Sequence, residues 1–287
     1  MFINPKTDYA FKKIFGSSES KDILISFLNA LIYDANPVIK DLEIINPNLP
    51  PIVVGLKDTY LDVKAKLRDG TLVIIEMQVL NVVSFGKRVI YNAAKTYAFQ
   101  LQSSQGYRLL KPVIALTIAD FTMFPNFEDY ISQFIYKEKT KNFTYPDNEI
   151  ELVFVELPKF CKDISQLKTL TDKWIYFIKL ARSLMQIPQT MQNIPEINHA
   201  FEIANESNLT HEELEDLERR EQFIYDQQGA IALGREEGRE EGREEGEKNA
   251  KLTIARQLLT LLDDETISQT TGLNVEEIKN LRASLSQ

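Results

Sequence analysis

The stretch Asp62-Val-Lys-Ala-Lys-Leu-Arg-Asp-Gly-Thr-Leu-Val-Ile-Ile-Glu-Met-Gln78 sets acidic and amide side chains inside a segment that otherwise reads as interior β-structure. Residues 71–79 are mostly apolar and rich in β-branched side chains, the pattern of a strand covered on both faces. Burial makes Glu76 costly there unless it is paired or holds a cation. Side chains alternate along a strand, so Glu76 and Gln78 follow Leu72 and Ile74 on one face, while Val73, Ile75, Met77 and Val79 take the other.

Whether Asp62 joins Glu76 depends on the turn. A two-residue Asp69-Gly70 loop pairs Arg68 with Thr71 and leaves Asp62 opposite Met77, on the wrong face. A three-residue loop, Arg68 to Gly70 with the glycine left-handed, pairs Leu67 with Thr71. It brings Asp62 opposite Glu76 with the Cβ atoms about 5 Å apart. Two carboxylates that close repel each other unless a cation separates them. With oxygen donors and only two histidines in the chain, Mg²⁺ or Mn²⁺ is the natural candidate. A half-exposed hairpin with its charges in water is the plainer alternative, but the run Leu72-Val-Ile-Ile75 asks for cover on both faces.

At 287 residues the chain has room for one sizeable core and a smaller accessory domain. No apolar run approaches the roughly 18 residues needed to span a bilayer, and the N-terminus lacks the basic start and apolar stretch of a signal peptide. A cytoplasmic protein with no membrane partner is expected. The single Cys161 allows no internal disulfide and reads as a small buried hydrophobe. His199 and His211 lack metal-ligand spacing, which argues against structural zinc. The net charge of −9 is unevenly spread: residues 1–120 carry 14 basic against 11 acidic side chains, and the remainder 19 against 31. The mildly basic first part is compatible with phosphate contacts of modest, salt-sensitive affinity.

Periodicity predicts helices over 7–15 and 21–31, a strand over 42–45, the Asp62 hairpin, a long helix over 85–102 and a strand over 113–121. Further strands are expected over 133–136 and 150–157, and a helix over 172–185 with Trp174, Phe177, Ile178 and Ala181 as its core stripe. Asp8 sits near a helix N-terminus, where capping or the helix dipole explains it. In the helix after Gln78, Phe85, Val89, Ala93 and Tyr97 form the buried stripe, while Arg88, Tyr91 and Lys95 share another face. The chain turns polar between Pro188 and Pro195, and an acidic helical stretch follows over 208–232. The repeat Gly234-Arg-Glu-Glu-Gly-Arg-Glu-Glu-Gly-Arg-Glu-Glu-Gly246 reads as a solvated helix or linker, with association along its glycine stripe as the alternative. Helices over 250–262, 265–270 and 275–285 suggest a helix-turn-helix pair at the end. Its second helix opens on Glu276 and Glu277, poor chemistry for reading bases, so a packing or dimerising module is expected.

Several segments in order carry a family resemblance. They are Thr7-Asp-Tyr-Ala-Phe-Lys-Lys-Ile-Phe-Gly16, Ile25-Ser-Phe-Leu-Asn-Ala30, Leu61-Asp-Val-Lys-Ala-Lys66, Glu76-Met-Gln78 and the glycine-punctuated repeat. Together they resemble the PD-(D/E)XK nuclease superfamily, in its recombination-promoting nuclease branch, also described as PD-(D/E)XK family transposases. The resemblance implies an α/β fold: a restriction-endonuclease-like core (helix, three-strand meander, helix, strand) followed by an all-helical C-terminal region. It implies a nuclease-like domain over 1–187, an acidic helical connector over 188–233, the repeat over 234–249 as linker or helix, and a small helical module over 250–287.

The activity so implied is metal-dependent endonucleolytic cleavage of DNA, with Asp62 and Glu76 matching the metal-binding acids, Mg²⁺ or Mn²⁺ as cofactor, and recombination or transposition-like events as its setting. Relatives sometimes draw an extra acid from the first helix, which nominates Asp8 as a metal ligand and Lys12 as a phosphate contact. Arg88 and Tyr91 are the further substrate-binding candidates. The departure is Gln78, at the position that gives the motif its lysine. An amide can orient water or complete a coordination shell but cannot act as a base. Lys64 shares the strand face of Asp62 and is the candidate stand-in. Gln78 and the acidic C-terminal half also motivate an alternative: a catalytically weak or inactive nuclease-fold protein that binds DNA or regulates through its C-terminal helices. A homo-oligomer through those helices is a further expectation.

Overall fold

The structure is a computed structural model and describes residues 1–49 and 59–284. Its strands are β1 (Leu42–Ile45), β2 (Asn48–Leu49), β3 (Thr59–Tyr60), β4 (Val63–Leu67), β5 (Leu72–Gln78), β6 (Val113–Ala119), β7 (Ile131–Phe134) and β8 (Ile150–Glu156). Six of them form one sheet in the order β1-β4-β5-β6-β8-β7, and β2 pairs with β3 in a separate ribbon. β1, β4 and β5 make an antiparallel meander, β5, β6 and β8 run parallel, and β7 returns antiparallel to β8. Every residue of β6 is buried, as the unbroken apolar run Val113-Ile-Ala-Leu-Thr-Ile-Ala119 demands of a strand covered on both faces. The β4–β5 register pairs Val63 with Ile75 and Lys66 with Leu72. Leu67 N–H donates to Thr71 O at 2.8 Å across a three-residue loop whose Gly70 has φ +93°. That is the register which sets Asp62 opposite Glu76.

Both faces of the sheet are covered. On one lie α1 (Asp8–Phe15) and α2 (Lys21–Ile32). The other is covered by α3 (Phe85–Ala98), whose Phe85, Val89 and Ala93 pack with Leu72, Ile74, Val113, Ala115 and Phe154. The first face is completed by α4 (Leu170–Leu180) and α5 (Pro195–Ile203). Phe11, Phe15, Phe27, Trp174, Phe177 and Phe201 are fully buried there, each worth roughly 1.5–3 kcal/mol of apolar burial. α4 starts before the expected helix because Thr169 and Asp172 form a capping box. The expectation of a break around Pro188–Pro195 misses α5, which Pro195 starts at its first turn, where a proline costs no hydrogen bond. Cys161 is exposed rather than buried, just beyond a 3₁₀ turn at Leu157–Lys159.

Contacts divide the chain into two compact units, Met1–Ile224 and Tyr225–Gln287. Met191, Ile197, Phe201 and Leu217 belong to the core of the first, so 188–224 is part of that unit. The helix α6 (His211–Leu258) is continuous over 48 residues and contains the whole repeat. A Cβ added at Gly234, Gly238, Gly242 or Gly246 would meet nothing within 4 Å. In the second unit, α7 (Asp264–Thr271) and α8 (Val275–Ser284) pack with the end of α6 through Ala255, Leu259, Ile267, Leu273 and Ile278. The last position of the helix expected over 275–285 lies outside the described residues. Among the described residues no helix is long and apolar enough to cross a membrane.

Candidate active site

Asp62 stands at the entry of β4, where its N–H donates to Ile75 O at 3.2 Å and its Oδ2 accepts the Met77 N–H at 2.7 Å. Glu76 lies on β5 facing α3. There its Oε1 meets Arg88 Nη2 at 2.6 Å, and its Oε2 accepts from Asn92 Nδ2 at 3.4 Å. Arg88 and Asn92 are one turn apart on α3, next to the apolar stripe Phe85, Val89, Ala93, and this brings both onto the acid. Burial pushes the Glu76 carboxyl up despite the guanidinium beside it.

The third wall is α1. Thr7 caps this helix, its side chain accepting from Ala10 N–H, so the cap is not Asp8. Ala10, Phe11, Ile14 and Phe15 take the buried side of α1, which turns Asp8 and Lys12 to the hairpin. Lys12 Nζ lies 2.6 Å from Asp8 Oδ1 and 3.6 Å from Asp62 Oδ1. Burial and a hydrogen bond to the Asp8 carboxylate raise the Asp62 carboxyl to about 7. Burial acts upward on Asp8 as well, but its bonds to Asp62 and to Lys12 outweigh it and hold Asp8 low. The two acids therefore titrate as a pair. From α6, Arg220 reaches Asp8 Oδ2 at 3.5 Å and is itself held by Asp216 at 2.7 Å.

Gln78 is engaged at both ends: Oε1 accepts from Arg88 Nη2 at 2.6 Å and Nε2 donates to Leu80 O at 2.6 Å. Its amide therefore fixes the guanidinium that Glu76 also binds. Lys64 is half-buried on the face of Asp62, makes no ion pair among the described residues, and has its ammonium pKa lowered by burial. Tyr91 is 39 % exposed beneath Lys95, whose Nζ lies 5.9 Å from the ring centroid, and makes no hydrogen bond to the carboxylates among the described residues. The structure thus joins Asp62, Asp8 and Lys12 in one set and Glu76, Gln78 and Arg88 in another, with Asp62 and Glu76 opposite each other in the β4–β5 register. Sequence reasoning missed Asn92 and Arg220. Asn92 was signalled by its place one turn after Arg88, whereas nothing local marks Arg220 among the charges of α6.

Among the described residues no three His, Cys, Asp or Glu side chains converge at metal-ligand spacing. Asp8 is bonded to Asp62, Lys12 and Arg220. The fit to a hard cation rests on Asp62 and Glu76, since Mg²⁺ is held through one or two carboxylates and keeps several waters. A model of the PD-(D/E)XK nuclease family transposases matches residues 5–234. No curated protein and no solved structure matches the chain.

Proposed function

The chain belongs to the PD-(D/E)XK nuclease family transposases, and from that membership we propose a divalent-metal-dependent DNA endonuclease that hydrolyses phosphodiester bonds in the cytoplasm, in the service of recombination or transposition-like strand breakage. The observation that supports it is the placing of Asp62 opposite Glu76 across a buried hairpin. Asp62 and Glu76 would hold Mg²⁺ or Mn²⁺, with Met77 N–H fixing one oxygen of Asp62 and Asn92 one oxygen of Glu76. Bound there, such an ion supplies Lewis-acid polarisation of a phosphoryl oxygen and a water of lowered pKa. Arg88 sits where it can turn from Glu76 toward a phosphate, and Gln78 limits that swing. Lys12 carries the positive charge nearest Asp62 and is the second group placed to meet phosphate.

A nicking assay on supercoiled plasmid tests the proposal. Wild type is expected to nick only with Mg²⁺ or Mn²⁺, and Asp62→Ala and Glu76→Ala each to lose at least about 100-fold, a loss of ~2.7 kcal/mol in transition-state stabilisation. Equal nicking by all three proteins would end the assignment. The second reading, a nuclease fold that binds DNA without turnover, is favoured by one feature: both ends of Gln78 are occupied, so no free group in the lysine position remains to activate water. Metal-independent DNA binding with no cleavage under any divalent ion would establish it.

A further inference from the structure

The basic groups of the active site are already spoken for: Lys12 by Asp8, Arg88 by Glu76, and Lys13 by Glu213. The side chains without an acid partner lie one step away. A groove of about 600 Å³ runs between β4, the 68–70 turn and the C-terminal half of α3, and Lys64, Lys66, Arg68 and Lys111 line it. None of these four makes an ion pair among the described residues. Asp69 is the acid in the lining, and its Oδ1 is used inside the turn, accepting Thr71 N–H at 2.9 Å. Glu43 stands opposite Lys66 across the β1–β4 pair without forming an ion pair among the described residues. In a chain of net charge −9 this is a local reversal of sign, and a reversal of that kind is what collects a polyanion.

Two features make the groove built rather than incidental. Thr96 on α3 lines it while only 2 % exposed, and its Oγ1 has no hydrogen-bond partner, which a buried hydroxyl rarely lacks. Lys111 is held in place: its N–H donates to Gln100 Oε1 at 2.9 Å and its carbonyl accepts from Gln100 Nε2 at 2.8 Å. Its stem lies across Gly70, where a Cβ would come within 3.1 Å of three of its methylenes. Gly70 therefore serves the hairpin twice, by its positive φ and by making room for that lysine. Lys64 and Lys66 alternate on the strand face that begins with Asp62, so the charges step away from the carboxylate pair at about 7 Å intervals.

We infer that this groove carries the phosphate backbone of the DNA strand leading away from the scissile bond, with Lys66, Arg68 and Lys111 contacting successive phosphates and Thr96 donating to one of them. The inference rests on the endonuclease reading. It is tested by anisotropy of a short fluorescein-labelled duplex with the full chain in Ca²⁺, titrated between 50 and 200 mM salt. Lys66→Ala/Arg68→Ala/Lys111→Ala is compared with Lys137→Ala/Lys139→Ala/Lys141→Ala, which removes equal charge from the exposed segment after β7. The groove variant should bind about 10-fold or more weakly, with its log–log salt slope shallower by up to about 2.7, or ~0.9 per lost contact. The control should stay within about two-fold of wild type. In the nicking assay the groove variant should raise KM and leave kcat at saturating DNA. An unchanged thermal midpoint excludes misfolding, since all three side chains are exposed. If wild type binds DNA and the groove variant matches it in affinity and slope, or the control falls as far, the inference is overturned while the endonuclease reading stands. If wild type binds no DNA, that reading fails and the groove loses its ligand with it.

Discussion

Arg88 reaches Glu76 and Gln78 through the same nitrogen, and its Nε has no hydrogen-bond partner among the described residues. One guanidinium thus neutralises an acid of the site and fills the space in front of the position where the family motif has lysine. Gln78→Lys alone would set an ammonium against that guanidinium. Rather than restoring a base it should cost about 1 kcal/mol of stability by like-charge crowding, and adding Arg88→Ala should recover it; urea unfolding of the two variants checks this. Asp62 gives a pH signature. Its carboxyl titrates near 7 in the folded protein against about 3.9 in an unfolded chain, so between those values the native state holds the extra proton. That contribution is complete below about pH 4 and is lost as the pH rises through 7. In EDTA, wild-type stability should therefore fall by about 4 kcal/mol between pH 4 and 8, and Asp62→Asn should flatten the fall. An identical slope in both proteins would mean that the proton is not on Asp62. Mg²⁺ should raise the thermal midpoint of wild type at pH 8 and leave Asp62→Asn where it is.

At the scale of elements, α1 carries the wall of the site and the start of α6 holds α1. Glu213 accepts hydrogen bonds from Tyr9 Oη and, at 2.6 Å, from Lys13 Nζ. Lys13, then Tyr9 and the Thr210 N–H, bring its carboxyl down to about 2. A depressed carboxyl stabilises above its unfolded value near 4.3, and the benefit disappears as the pH falls toward 2. Glu213→Gln should lower stability at pH 7 by up to about 1 kcal/mol, a figure kept small by solvent screening, with the difference gone at pH 2. Thermal midpoints across that range measure it. Much of this architecture was legible in the sequence. The Asp62–Gln78 hairpin followed from alternation and one glycine, which left a two-residue and a three-residue turn open, and only the demand that Asp62 and Glu76 share a face favoured the second; α1, α2, β1 and β6 followed from periodicity. The clasp was not legible, because Tyr9 and Glu213 are separated by 204 residues and a charged helix face offers no reason to single out one glutamate. Nor was the burial of Asn92 and Thr96, one and two turns beyond Arg88, since polar residues at helical spacing usually face water and here face a sheet.

At the scale of the whole molecule, the two units have separate cores, one around Trp174 and Phe177 and the other around Ile267 and Ile278. A chain ending at Ile224 should keep the near-UV circular dichroism of the tryptophan cluster. Loss of that signal would show that the second unit is needed for the first to fold. The exposed glycines of α6 give a second check. Because a methyl at Gly238 or Gly242 meets nothing, Gly238→Ala/Gly242→Ala should stabilise the helix by about 1 kcal/mol per site. If the chain instead forms a homo-oligomer along that stripe, the same change should weaken association in sedimentation runs. The beginning of the chain is stitched to a much later part of it: Phe2 bridges Asn205, Ile3 N–H donates to Ala204 O at 2.8 Å, and Glu206 N–H donates to Met1 O at 3.1 Å. On the ribosome those partners are about 200 residues apart, some 10–40 s of synthesis at 5–20 residues per second. For that interval the emerging helix α1 has neither the seam beside it nor Glu213 behind it. A nascent chain therefore carries Asp8 and Asp62 without the contacts that hold α1 until the first unit is almost entirely made.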